Sequence, residues 1–245
     1  MSPIDRIAPT QRPAGNNDGT QQWRSLLFCH WQIPIDDLRP LVPRRLEIDT
    51  FDGQAYVALV PFEMRAIRPR WLPHWLAFNF YETNVRTYVL HNGRPGVYFF
   101  SLDASSRLAV WAARQGWSLP YHHASMSGNI IDEQHSYISQ RWPDRVDLLV
   151  KFRTGKAGEC SRPGSLEHFL FERYLLFVEH RRQIFEGQVH HQPYEVVHAE
   201  IDELQERLLA AAGLPAPRRL PDLAHYSPGV DVEVFRIRAV ESRVQ

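Results

Sequence analysis

The clearest structural pattern in the chain lies in NVRTYVLHNGRPGVYFFSLDASSRLAVWAARQGWSLPYHHASM, residues Asn84–Met126. Its first part alternates in polarity and then reaches Asn92-Gly93, the residue pair most typical of a tight β-hairpin turn. A second strand returns over Gly96–Asp103. A helix follows, capped by either Ser105 or Ser106 and ending near Gln115. The stretch therefore predicts strand, turn, strand and helix in close succession.

On both sides of this stretch, the sequence predicts many short strands, few helices and no strand–helix–strand alternation. Residues 1–22 are rich in Pro, Gly, Asn and Gln and are interpreted as a flexible arm, and residues 23–245 as one domain. A loop is expected over Arg65–Ala77, and the best helix over Ile201–Ala212. The other predicted strands cover residues 23–33, 46–50, 55–64, 121–131, 136–142, 146–154, 183–194, 195–201 and 230–240, and a second helix follows Ser165. The predicted fold is β-rich α+β, a closed or sandwiched barrel of mostly antiparallel strands.

Composition excludes several classes of function. The chain has 245 residues and a formal net charge of zero, so no basic field points to nucleic acid as a partner. Two cysteines form neither a disulfide framework nor a zinc motif. No signal peptide and no apolar run of membrane length is present, so we expect a cytoplasmic protein without a membrane partner. The sequence leaves open whether the chain forms a homo-oligomer.

Polar side chains share one face of the first predicted strand. Because side chains alternate along a strand, four residues of FYETNVRTYVL fall on the same side. They are Glu82, Asn84, Arg86 and Tyr88. We interpret them as substrate-binding residues, with Arg86 gripping a carboxylate or enolate through two hydrogen bonds. The alternative is a buried pair of Arg86 and Glu82 that fixes the strand and meets no ligand.

Other polar residues favour structural roles. His122 and His123 are adjacent on a predicted strand and point to opposite faces, so they cannot hold one metal ion together. No metal site and no cofactor are predicted. Asp103 is interpreted as a turn or capping carboxylate in preference to a catalytic acid. The loop between Trp71 and Trp75 could be a hydrophobic lid, a packed crossover or a subunit contact.

Several motifs carry a family resemblance. They are the aromatic run in Trp23–Ile33, then NVRTYV, GVYFFSLDAS, LPYHHA, PGSLEHFLFERY and YSPGVDVEVF. Together they resemble the bacterial YqjF-like family over about Trp23–Phe235, most of the chain. That family is similar to the acetoacetate decarboxylase-like superfamily, which implies a β-rich barrel with its active site inside.

The resemblance departs from the superfamily at its reactive position. The decarboxylases carry Gly-Arg-Glu, a proline and then two lysines, the first of which forms a Schiff base. Here Ala113-Arg114-Gln115 and Pro120 match the spacing, but Tyr121 and His122 stand at the lysine positions. A tyrosine hydroxyl cannot form an imine with a ketone. The resemblance thus implies the fold without the decarboxylase chemistry.

The predicted function follows from these residues. We expect a barrel pocket for a small organic acid or keto/enol compound, with an anionic small molecule as the partner. If the protein is an enzyme, it is a lyase or isomerase in which Arg86 binds the anion and Tyr121 with His122 transfers a proton. The alternative is a non-catalytic ligand-binding or scaffold protein that keeps the fold.

Overall fold

The computed structural model describes residues 4–111, 119–143, 145–156, 158–217 and 219–240. Within these ranges the chain forms thirteen strands joined in one sheet, with short helices between them. The strands are β1 Gly19–Ile33, β2 Glu47–Ile48, β3 Ala55–Pro69, β4 Phe78–His91, β5 Arg94–Ala104, β6 Tyr121–Ile131, β7 Gln134–Arg141, β8 Asp147–Thr154, β9 Glu159–Cys160, β10 Leu175–His180, β11 Gln183–His190, β12 Glu195–Glu206 and β13 Leu223–Ala239. The helices are Ile35–Leu38, Leu166–Phe171 and Leu208–Ala211, with 3-10 turns at Ala8–Thr10 and His74–Leu76 and a helical segment over 107–111.

Seven strands close into a ring. Their order is β4, β3, β1, β13, β11, β10 and β5, and β5 pairs with β4 again. All of these pairings are antiparallel except β5 with β10, where Val97 lies opposite Leu176 in a short parallel register. This arrangement confirms the β-rich α+β fold with mostly antiparallel strands.

A second sheet covers one side of the ring. Strand β6 pairs in parallel with β5, and β6, β7, β8 and β12 then follow in antiparallel order. Strand β12 returns to the ring by pairing with β13, where Val197 lies opposite Tyr226. Apolar residues of both layers, among them Leu27, Val150 and Phe152, form one buried cluster. This cluster joins the second sheet to the ring.

A larger buried cluster draws residues from strands around the ring. It is rich in aromatic side chains, including Phe28, Phe62, Tyr88 and Phe169. In β3 the buried residues are continuous from Ala55 to Phe62, as expected for a strand covered on both faces. One face of β3 is covered by the other strands of the ring, and the opposite face is covered by the second sheet.

The hairpin between β4 and β5 forms as predicted. Asn92 and Gly93 both have positive φ, at 52° and 75°, which is the backbone of the turn type that favours Asn-Gly. The predicted helix after Ser165 also forms, and the Ser165 hydroxyl caps it by accepting a hydrogen bond from the His168 amide at 3.2 Å. These two local predictions are confirmed.

The helix predicted over Ile201–Ala212 is wrong. Residues as far as Glu206 belong to β12, where Leu204 lies opposite Val150 of β8, and only Leu208–Ala211 is helical. The apolar spacing fits a helical stripe, but pairing with β8 stabilises the extended backbone instead. The helix expected to end near Gln115 is described only over 107–111, and its remainder lies outside the described residues.

Two predicted boundaries are also wrong. Strand β1 begins at Gly19, inside the segment interpreted as a flexible arm, and Arg6 before it forms two hydrogen bonds of 2.6 and 2.8 Å to Asp49. Strand β3 continues to Pro69, so the predicted loop begins later than Arg65.

Candidate functional site

A cavity of about 100 Å³ lies within the ring. All seven ring strands contribute to its wall. Their contributions include Trp23, Met64, Arg86, Phe99, Leu176, Val189 and Val234. A predominantly apolar wall with a few polar groups is the usual composition of a small-molecule site. The polar groups in this wall therefore decide what the cavity can bind.

Arg86 presents unused hydrogen-bond donors to this cavity. It extends from β4, is only 9% exposed, and its guanidinium carbon lies 5.6 Å from the ring centre of Phe28 and 6.0 Å from that of Tyr88. Its Nε and Nη2 atoms are buried without a hydrogen-bond partner among the described residues. These two atoms form one edge of the guanidinium fork, the edge that a carboxylate accepts with both oxygens. A buried unpaired donor is costly, so this edge favours an anionic ligand.

Glu82 and Tyr121 form a hydrogen-bonded pair in the same wall. The Tyr121 hydroxyl donates to Glu82 Oε2 at 2.8 Å, joining β4 to the start of β6. Burial raises the pKa of Glu82 to about 7, although the Tyr121 hydrogen bond opposes the rise and Asp103 adds to it. Burial and the Glu82 carboxylate raise the pKa of Tyr121 well above its ordinary value. Glu82 can thus exchange a proton near neutral pH, while Tyr121 acts as a donor.

Arg173 is a second cavity arginine, and sequence reasoning missed it. Its Nη1 donates to Asp49 Oδ2 at 2.7 Å and its Nε to the Phe169 carbonyl at 2.5 Å, while Nη2 is buried without a partner within the described chain. Burial lowers its pKa to about 10, so it stays charged at neutral pH. The residue lies between the helix Leu166–Phe171 and strand β10, where no periodic pattern singles it out.

An aromatic wall is held in place next to Arg173. Glu172 accepts hydrogen bonds from the Tyr174 hydroxyl at 2.7 Å and from the Tyr194 amide at 3.1 Å. Both tyrosines line the cavity, and the His191 ring stacks on Tyr174 at 4.4 Å. Burial raises the pKa of both tyrosines, so their hydroxyls stay protonated.

Three other predicted site residues do not line this cavity. Tyr88 shares the strand face of Arg86, but its hydroxyl lies 2.7 Å from His30 Nε2 and donates to the Leu170 carbonyl at 3.1 Å. Asn84 lies on the same face and is buried. His122 is half-buried on β6, opposite Asp103 of β5. Of the predicted residues, the structure brings Glu82, Arg86 and Tyr121 together in the cavity wall.

Asp103 has a different role from the one expected. It lies within β5 and accepts hydrogen bonds from Arg141 Nη2 at 2.6 Å and from Arg141 Nε, so it is neither a turn nor a helix cap. Burial raises its pKa, and the contact with Arg141 opposes that rise. Both residues are buried, and together they connect the ring strand β5 to β7 of the second sheet.

The chain's two lysines lie away from the cavity. Lys151 forms a surface ion pair with Glu203 at 2.8 Å, and Lys156 is exposed. The tryptophans considered for a lid, Trp71 and Trp75, are each 80% exposed and do not belong to the cavity wall.

Neither a metal centre nor a spanning helix is found in the part of the chain that the structure describes. There, no three His, Cys, Asp or Glu side chains are grouped as ligands of one metal ion. The helices in the same ranges are too short or too polar to cross a membrane.

Solved structures of known proteins share this architecture. The enduracididine biosynthesis enzyme MppR, complexed with pyruvate, superposes with a TM-score of 0.67 at 10% sequence identity, covering 96% of this chain and 95% of that one. Acetoacetate decarboxylase from Legionella pneumophila gives a TM-score of 0.63 at 12% identity, covering 99% and 96%. These similarities establish an acetoacetate decarboxylase-like fold.

The amino-acid sequence has a much nearer relative. Uncharacterized protein YqjF from Bacillus subtilis (strain 168) is 37% identical over 220 residues, which is 89% of this chain and 90% of the relative. Residues 20–231 match the family model DUF2071, described as an uncharacterized conserved protein. From this match and its similarity to YqjF, the chain belongs to the DUF2071 family.

Proposed function

We propose that the ring cavity binds a small organic acid or its keto/enol form, with Arg86 as the anion-binding residue. The observation that carries this proposal is the buried edge of Arg86, whose Nε and Nη2 have no partner among the residues described. A carboxylate would occupy both donors at once. The small volume, about 100 Å³, favours a ligand of few atoms. The pyruvate complex of MppR supports the choice of a keto acid as the first probe.

The proposed reaction is proton transfer without a covalent amine. Glu82 lines the same cavity as Arg86 and has a pKa of about 7, the value suited to a general acid or base. Its hydrogen bond from Tyr121 fixes the carboxyl group in place. We therefore assign proton transfer to Glu82 with Tyr121, in place of the pair Tyr121 and His122. Lyase or isomerase chemistry on a carbon next to a carbonyl fits these groups, and a Schiff base does not, because neither lysine lines the cavity.

Ligand binding is tested by isothermal titration with pyruvate. The wild type is expected to bind, and Arg86→Met to lose at least tenfold in affinity, because one bidentate charge-assisted contact is removed. Arg153→Met is the matched control, since Arg153 pairs with Asp202 on the surface of β8. Unchanged binding by Arg86→Met, or equal losses in both variants, would contradict the assignment.

A non-catalytic binding protein is the second candidate. It is favoured by the hydrogen bond that already occupies the Tyr121 hydroxyl and one oxygen of Glu82. Deuterium exchange at the methyl group of pyruvate, followed by NMR, separates the two functions. An enzyme of the proposed type exchanges these protons faster than they exchange in buffer alone. The Glu82→Gln variant should lose this acceleration. A pure binding protein holds pyruvate without exchange.

A further inference from the structure

Among the described residues, two buried arginines rather than one offer free donors to the ring cavity. Arg86 is 9% exposed and Arg173 is 7% exposed, and both belong to the cavity wall. Arg86 has Nε and Nη2 without partners in the described ranges, and Arg173 has Nη2. Their guanidinium carbons lie 6.0 and 5.0 Å from the centre of the same Tyr88 ring. The two groups thus lie next to one aromatic ring, and both border the same cavity.

The carboxylates around these arginines do not neutralise them. Asp49 is shared, because it accepts two hydrogen bonds from Arg6 and one from Arg173. Glu82 directs one oxygen to Tyr121 and forms no ion pair with either cavity arginine among the described contacts. The wall thus carries more positive than negative charge in a place where desolvated charges need partners.

We propose that the preferred ligand of this cavity is a small dicarboxylate. One carboxylate takes the Nε–Nη2 edge of Arg86, and the other accepts a hydrogen bond from Nη2 of Arg173. Arg173 is suited to the second position because its other nitrogens are anchored by Asp49 and the Phe169 carbonyl. The remaining nitrogen is thereby fixed in direction before any ligand arrives. This inference rests on the proposed function and specifies its substrate class.

A matched pair of acids tests the inference on the unaltered protein. Succinate and butyrate have the same chain length and differ in the second carboxylate. Titration calorimetry with each acid is expected to give a dissociation constant at least tenfold lower for succinate, the gain from one charge-assisted contact. Equal affinities for the two acids would overturn the dicarboxylate inference and leave the proposed anion site standing. Binding of neither acid nor pyruvate would overturn both.

A variant of Arg173 assigns the preference to that residue. In Arg173→Met the Asp49 carboxylate keeps both hydrogen bonds from Arg6, so the substitution does not leave a buried charge alone. We expect this variant to bind succinate and butyrate with equal affinity, because the contact to the second carboxylate is lost. A succinate preference that survives in Arg173→Met would overturn the assignment. Arg173→Lys is the second variant, which keeps a charge near Asp49 and shortens the reach; it should lose most of the preference too.

Discussion

At the scale of single residues, the cavity is defined by side chains that are buried and incompletely paired. Arg86 could be predicted from sequence because it shares a strand face with other polar residues, and alternation along a strand is a local rule. Arg173 could not, because its partner Asp49 is 124 residues away in the chain. Tyr121 was found through the lysine position that it replaces, and its contact with Glu82 needed the structure.

The pKa of Glu82 predicts how stability changes with pH. The carboxyl titrates near pH 7 in the folded protein and near 4.5 when exposed, so the folded state holds a proton that the unfolded state releases between these values. Stability should therefore fall as pH rises from about 4.5 to 7, by roughly 3 kcal/mol, and level off above. Glu82→Gln should remove this pH-dependent loss of stability. In urea unfolding, the variant should have a higher free energy of unfolding than the wild type at pH 8 and a similar one at pH 5.

Glu179→Gln is the control for this measurement, because Glu179 is an exposed carboxylate on β10. Its unfolding profile against pH is measured beside those of the wild type and Glu82→Gln. If Glu82→Gln follows the wild-type pH profile as closely as the control does, Glu82 ionises normally and is no candidate for proton transfer.

At the scale of elements, local signals were predictable and distant pairings were not. The Asn92-Gly93 turn depends on two adjacent residues, and the structure has it. The apolar residues of the segment from Ile201 fit both a helical stripe and a strand. The pairing of this segment with β8 makes it a strand. Pairings such as that of β12 with β13 join residues that are distant in the sequence, so no local pattern predicts them.

Strands β1 and β13 approach closely at Gly229. The residue has a φ of 135°, and a Cβ atom there would lie 2.1 Å from the Trp23 carbonyl oxygen. Gly229→Ala should therefore force the strands apart and destabilise the protein by more than about 3 kcal/mol, beyond the usual cost of a left-handed backbone. Since Trp23 lines the cavity, the same variant should also weaken ligand binding.

Gly53→Ala is the matched control. Gly53 also has positive φ, at 78°, but a Cβ atom added there would have nothing within 4 Å. Gly53→Ala should lower the free energy of unfolding, measured with urea, by about 1 kcal/mol, which is the effect of the backbone conformation alone. If both variants lower the free energy of unfolding equally, the close contact with Trp23 does not add to the destabilisation in Gly229→Ala.

At the scale of the whole molecule, one buried ion pair links the ring to its covering sheet. Asp103 and Arg141 are 0% and 3% exposed. Arg141→Met would leave the Asp103 charge buried without its partner, and should lower the free energy of unfolding by about 3–5 kcal/mol. The exposed pair of Arg153 and Asp202 provides the comparison, since Arg153→Met should lower it by less than about 1 kcal/mol. Similar losses in the two variants would show that the pair does not hold the layers together.

The order of strands in the ring also has a consequence for how the protein is made. Strand β13 is the last of the described strands in sequence order and lies between β1 and β11, so it pairs with an early strand and with a late one. During synthesis β1 can pair with β3, but its other edge stays open until β13 leaves the ribosome. The wall of the cavity is complete only after β13 has been synthesised and paired. Until then the nascent chain exposes an apolar strand edge, which chaperones recognise and other chains can join.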